Sequence, residues 1–201
     1  MSVETIKQYL QRHLQDTGIL EEYLYYLRNT NQQEGTRAAT DLLKNSDEAI
    51  RAEAMWFIEM LGPMDSSIVP DLLAATKDSN LYVRSHAIVY LMEKGLASLI
   101  RELIAVLEDE KLDSQTRSRA ALILGRQNNL EAINALTKSL DDKDPSLIWN
   151  VIHAVEHSEQ SAGNKIIIDK LRKIAQQSDS RSTPGGLSLS EKAYDAMKSL
   201  P

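Results

Sequence analysis

The segment His153-Ala154-Val155-Glu156-His157 carries the residue types and spacing of a metal centre. Two imidazoles four residues apart lie one turn apart on one face of a helix, where their nitrogens can converge on a zinc-like ion. The carboxylate between them is of the kind that activates a metal-bound water. Such a centre requires a third protein ligand, and the acidic residues left downstream are Glu159, Asp169, Asp179, Glu191 and Asp195. Other chemistry is poorly represented. The chain has no cysteine, which removes thiolate nucleophiles, cysteine-ligated zinc and disulfides together. Asp141-Asp142-Lys143-Asp144 lacks the glycine and terminal glutamate of a calcium loop and is predicted to be a turn. Neither a glycine-rich phosphate loop nor a nucleophile elbow occurs.

What must position these residues is a repeat. Arg51, Arg84 and Arg117 lie 33 residues apart, and one more step lands on Asn150. Ile50, Val83, Thr116 and Trp149 precede them; Ala54, Ala87, Ala120 and His153 follow by three; Ile58, Leu91, Leu124 and His157 follow by seven. Between the arginine-bearing stretches lie second amphipathic ones, Ile68 to Lys77, Leu99 to Glu108 and Leu130 to Leu140. Turn signals separate them at Gly62-Pro63, Asp78 to Asn80, Gly95, Asp109 to Asp113 and Asp141 to Pro145. Each unit is therefore predicted to be a helix pair. A pair this short cannot bury its apolar face alone, so neighbours must stack, and the alanine column lets them approach closely. In this register His153 and His157 occupy columns held elsewhere by alanine and by isoleucine or leucine. They are expected to point into the stack as core or end-face histidines, with no metal and no other cofactor.

The stretches Asp78-Ser79-Asn80-Leu81-Tyr82-Val83-Arg84-Ser85-His86-Ala87 and Asn45 to Ala54 resemble the Asp-x-x-x-x-Val-Arg-x-x-Ala core of HEAT repeats, in particular the short HEAT-like class also found in phycocyanobilin lyases. The resemblance covers roughly Gly35 to Gln176. It implies an all-α solenoid of about four to five helix-pair repeats, in which aspartates and arginines of successive repeats form a polar ladder, with Asp78 placed beside Arg84. The sequence departs from that pattern at Asn45 and Lys111, where the aspartate is expected, and at Asn150, which replaces arginine. The arginines are expected to join repeats rather than to catalyse.

Composition agrees with helix. Apolar residues are 42% of the chain but aromatic ones only 5%, a balance that disfavours sandwiches and barrels. The formal charge of −6 argues against broad electrostatic binding of nucleic acid. The start, Met1 to Lys7, has no signal-like apolar region, and no apolar run reaches the roughly 20 residues needed to cross a bilayer, so a cytoplasmic protein away from membranes is expected. Residues 1–30 are predicted to be N-terminal capping helices, carrying Tyr9, Tyr23, Tyr25 and Tyr26 as cover for the first repeat. Residues 31–177 are the repeat array. Residues 178–201 are a Ser/Pro/Gly linker and a short final helix, with Ser190 as its expected cap.

On each arginine-bearing helix the positions two, five and nine after the arginine fall opposite the stacking columns. They hold Glu53, His86 and Arg119; Trp56, Val89 and Leu122; Met60, Glu93 and Arg126. By resemblance to HEAT arrays, whose second helices line the concave surface, these residues would face the groove. The first set is expected to be exposed, and Val89 and Leu122 to pack. Glu53, Trp56, Met60, His86, Glu93, Arg119 and Arg126 are thus the candidate contacts of a non-enzymatic scaffold for a protein or peptide partner. The resemblance to bilin lyases implies an alternative, a lyase-like or phycobilisome-associated chaperone activity. The architecture also resembles HEAT-like DNA glycosylases, but the few basic residues of the ridge and the net charge oppose that use.

Overall fold

Side-chain oxygens cap several helices of this protein. In the computed structural model, which describes residues 32–60, 66–127, 129–177 and 188–200, Asn80 accepts from the Val83 amide and Asp113 from that of Thr116. Asn129 accepts from Ala132, Asp144 from Ser146 and Leu147, and Asn164 from Ile166 and Ile167. Each satisfies amides that a helix start leaves without partners. The expected capping helices in residues 1–30, the Gly62-Pro63 turn and nearly all of the 178–188 linker lie outside the described residues.

Every regular element among the described residues is helical. They fall into two compact units that divide between Lys94 and Gly95. The first unit contains α1 (Gln32–Leu42), α2 (Glu48–Met60), α3 (Val69–Ala75) and α4 (Leu81–Glu93). In it α1 packs on α2, α3 on α4, and α2 on α4. The second contains α5 (Ile100–Glu108), α6 (Ser114–Gly125), α7 (Leu130–Ser139), α8 (Pro145–Glu156), α9 (Lys165–Gln176) and α10 (Leu189–Ser199). There α5 pairs with α6, α7 with α8 and α9 with α10, while α6, α8 and α10 pack in succession. Helix pairs thus stack on helix pairs within each unit, as the repeat predicts.

The stacking columns are the core. Ala54, Ala87 and Ala120, with Ile58, Leu91 and Leu124, are all buried. Helices α6 and α8 approach closely. A Cβ added at Gly125 would stand 2.7 Å from the Ala154 carbonyl oxygen, so glycine is required there.

The arginines join turns, as expected, but with a different pairing. Arg51 grips the Asp78 carboxylate with two nitrogens, at 2.8 and 2.9 Å, and donates to the Asn45 and Ser46 carbonyls of its own turn. Arg84, expected beside the Asp78 carboxylate, instead donates to the Asp78 and Ser79 carbonyls. Arg117 donates to the Leu107 carbonyl at 2.9 Å and to Asp142 at 2.6 Å. Arg51 and Arg84 therefore brace the turn before their own helix, Arg117 braces the end of the preceding helix, and Arg51 and Arg117 reach the aspartate of the following turn. The Arg51 hydrogen bond holds the Asp78 carboxyl below the ordinary aspartate value, outweighing its partial burial. Burial pushes Asp142 upward, but the bonds from Arg117 and from backbone amides prevail and the net shift is down.

The fourth repeat corrects the sequence reading. The caps Asp47, Asn80 and Asp113 follow at 33-residue intervals, whereas the next cap, Asp144, comes after 31. Counted from the cap, the stacking columns in α8 hold Leu147, Val151 and Val155, all fully buried, and Ile148 takes the arginine position. Asn150 is not a degenerate ladder residue; its side chain donates to the Ser146 carbonyl. His153 and His157, expected in the stack, are exposed. A second correction concerns α10. Its cap is Ser188, which accepts from the Glu191 amide, while Ser190 donates to the Ala175 carbonyl and ties α10 to α9.

Candidate functional site

Helix α2 presents the candidate contacts of the first unit. Glu53, Trp56 and Met60 are spaced three and four apart, which puts them on one face. Met55 and Phe57 on the other side of the helix are buried, so Trp56 and Met60 turn outward, 45% and 43% exposed, with Glu53 half-buried beside them. An indole and a thioether left in water on neighbouring turns are unusual in a helix whose other large apolar residues are covered.

On α4 the expectation splits. Glu93 is exposed, as a groove residue should be, and Val89 is fully buried, as a packing residue should be. His86, expected to be exposed, is buried at 8%. Its Nδ1 lies 2.7 Å from Glu59 Oε2 on α2, and its ring stacks on Tyr82 with centroids 3.9 Å apart. The reason is local. A neighbouring helix supplies a carboxylate for one ring nitrogen and an aromatic face one turn earlier covers the ring, so the imidazole is more stable between them than in water. Glu59 belongs to no repeat column, so no periodic signal announced it.

The remaining candidates, Arg119 and Arg126, belong to α6 in the second unit. Arg119 and Leu122 are half-buried and Arg126 is exposed. Arg126 lines a cavity of about 360 Å³ with Gly125, Gln127, His157, Ser158 and Glu159. A larger opening, about 570 Å³, is walled by Ser98, Ile100, Arg101, Glu102, Asn129, Leu130 and Glu131 and is spanned by the exposed Arg101–Glu131 pair.

The structure adds Lys192, which the sequence reading did not single out. It stands four residues after its cap, the offset of Arg51, Arg84 and Arg117 from theirs, and pairs with Glu156 of α8 while lying 5.8 Å from the centre of the Trp149 ring. That offset would have revealed it had the cap been placed at Ser188 rather than Ser190.

Comparison with known proteins places this geometry. HEAT repeats match residues 100–183. A search of curated proteins finds no significant match. A chain of the complex of CpcE and CpcF of phycocyanin lyase from Nostoc sp. PCC7120 is similar in structure, with TM-score 0.58 and 23% identity over 82% of this chain and 64% of that one. The chain thus spans 64% of the length of that relative. A computationally designed armadillo repeat protein for modular peptide recognition has TM-score 0.58 at 15% identity, covering 100% of both chains. Another designed armadillo repeat protein, in complex with the peptide (KR)4, has TM-score 0.57 at 16% identity over 92% of this chain and 95% of that one. None of the described helices is long and apolar enough to cross a membrane. Residues 100–183 thus match HEAT repeats, and the helix pairs stacked within each unit have the all-α fold of armadillo-like repeat proteins.

Proposed function

We propose that this chain is a non-enzymatic scaffold that recognises a protein or peptide through the outward residues of its arginine-bearing helices. The observation that carries the reading is the exposure of Trp56 and Met60 on one face of α2, flanked by Glu53. Large apolar side chains ringed by polar ones are the usual energetic anchors of an interface, and burying this pair on binding would supply the apolar core that a polar rim surrounds. Designed proteins of the same class recognise peptides, which supports the choice of partner. Glu93 on α4 is a further polar contact in the first unit, Arg119 and Arg126 on α6 are the candidate contacts of the second unit, and His86 contributes by holding α4 against Glu59 rather than by touching the partner.

The test is capture of a partner from a displayed peptide library by the full chain, repeated with Trp56→Ala and with Glu53→Lys combined with Arg119→Glu. Trp56→Ala should weaken the selected interaction at least about tenfold, the range of an interface anchor, with an unchanged melting temperature. Equal binding by the folded variants would remove the proposed surface.

A second reading, lyase-like or chaperone activity on bilin-carrying proteins, is favoured by the similarity to the phycocyanin lyase complex. Repeat folds serve unrelated tasks, so the likeness carries the architecture and not the chemistry. Mixing the chain with a bilin and a bilin-accepting apoprotein discriminates the two. A shift in visible absorbance would favour the second reading, and an unchanged spectrum would retire it.

A further inference from the structure

The 31-residue step into the fourth repeat turns His153 and His157 out of the stack, which removes the reason for regarding them as core residues. The two rings lie side by side on α8, centroids 4.2 Å apart. Glu156 sits beneath them, with Oε2 at 3.9 Å from each Nδ1, too far for a hydrogen bond to either. One donor atom from each of the three residues lies within 4.8 Å of the other two. Ligands about 2.0–2.2 Å from a zinc-like ion stand roughly 3.3 Å apart in a tetrahedral site. Closing that gap needs rotation of the two exposed imidazoles.

Two features prepare the donors. His157 Nδ1 lies 2.8 Å from the His153 carbonyl oxygen, so the nitrogen that carries the proton is the one donating to that carbonyl, and Nε2 keeps its lone pair. Glu156 is held by Lys192 Nζ through Oε2, with Ser199 Oγ 3.4 Å from Oε1. Both the carboxylate and its cation are mostly covered, so the carboxylate is kept in place and charged beside the rings. This is the pattern by which outer partners orient metal ligands.

We propose that His153, Glu156 and His157 form a binding site for a borderline divalent transition ion of the zinc class. The imidazoles and carboxylate suit such an ion, whereas calcium or magnesium would require a larger set of oxygens. Glu156 is a ligand in this arrangement and not an activator of water. The fourth position falls to water or to a small ligand, and the cavity of about 360 Å³ that includes His157 and Arg126 gives room for it. The site is independent of the binding face on α2.

The test is titration of the full chain with zinc chloride by calorimetry, alongside His153→Ala, His157→Ala, Glu156→Gln and a His13→Ala control. One equivalent should bind. Each histidine substitution should weaken binding at least about tenfold, Glu156→Gln should weaken it severalfold, and the control should match the parent. Both histidines are exposed, and the side-chain amide introduced by Glu156→Gln can still accept from Lys192, so far-UV circular dichroism should show every variant folded. In nitrogen-detected spectra of the imidazoles, zinc should shift His157 Nε2 and leave the Nδ1 proton in place. Unaltered affinity in either histidine variant, equal loss in the control, unaltered affinity in Glu156→Gln, or metallation of His157 Nδ1 would each overturn the proposal.

Discussion

Histidine is used in opposite ways in the two units. In the first, His86 of α4 is buried between Tyr82 and Glu59, and its nitrogen has a fixed partner 2.7 Å away. In the second, His153 and His157 of α8 stand in solvent around a carboxylate that is committed to Lys192 instead. The residue types are the same, but His86 is covered because Glu59 and Tyr82 meet it, whereas His153 and His157 are turned outward by the shifted cap of α8. The lesson extends to the arginines, since Ile148 fills the fourth position after Asp144 and is wholly buried.

The largest effect should come from the buried arginine of the second unit. Arg117→Ala would leave Asp142 without its cation and the Leu107 carbonyl without its donor, at a cost of about 3 kcal/mol, the range for breaking a covered ion pair. A drop in the urea midpoint checks this, and stability within about 0.5 kcal/mol of the parent would mean that the turn braces are dispensable. Next in size is Gly125→Ala, which forces α6 away from the Ala154 backbone and should cost about 2 kcal/mol by the same measurement.

Glu59→Ala removes the carboxylate 2.7 Å from the covered His86 nitrogen and should cost about 1–2 kcal/mol in thermal or urea unfolding. The double variant Glu59→Ala with His86→Leu should recover part of that loss, because an apolar replacement leaves no buried polar atom unsatisfied. A smaller effect is expected in acid. The carboxyls of Asp78 and Asp142 sit below their ordinary value of 3.8 in the folded chain. Their contribution is therefore complete above that value and is lost as pH falls through the lower folded values. Urea midpoints measured downward from neutral pH should fall more steeply for the parent than for Asp78→Asn with Asp142→Asn.

The smallest effect closes the comparison. His153→Ala and His157→Ala should each change stability by less than about 0.5 kcal/mol without added metal, because their rings bury little. Destabilisation equal to that of Glu59→Ala would erase the distinction between the two kinds of histidine.

Much of the architecture was legible in the chain itself. The recurrence of Arg51, Arg84 and Arg117, the alanine column and the amphipathic stretches between them announced stacked helix pairs, because periodicity in side-chain size and polarity is a direct image of helical packing. The same count singled out Trp56, Met60, Glu93 and Arg126, which are exposed, but it expected Glu53, His86 and Arg119 to be exposed too, and these are half-buried or buried. What tertiary structure alone decided was everything that depends on a partner distant in the chain. Glu59 covers His86 from 27 residues away, Arg51 takes the carboxylate of a turn beyond its own pair, and Lys192 reaches Glu156 across 36 residues. Column counting also assumes a constant step, and a two-residue shortening before α8 rotates the whole helix by more than half a turn. Periodicity specifies which helices form; the energy of meeting a particular neighbour determines which side chains they finally show to water.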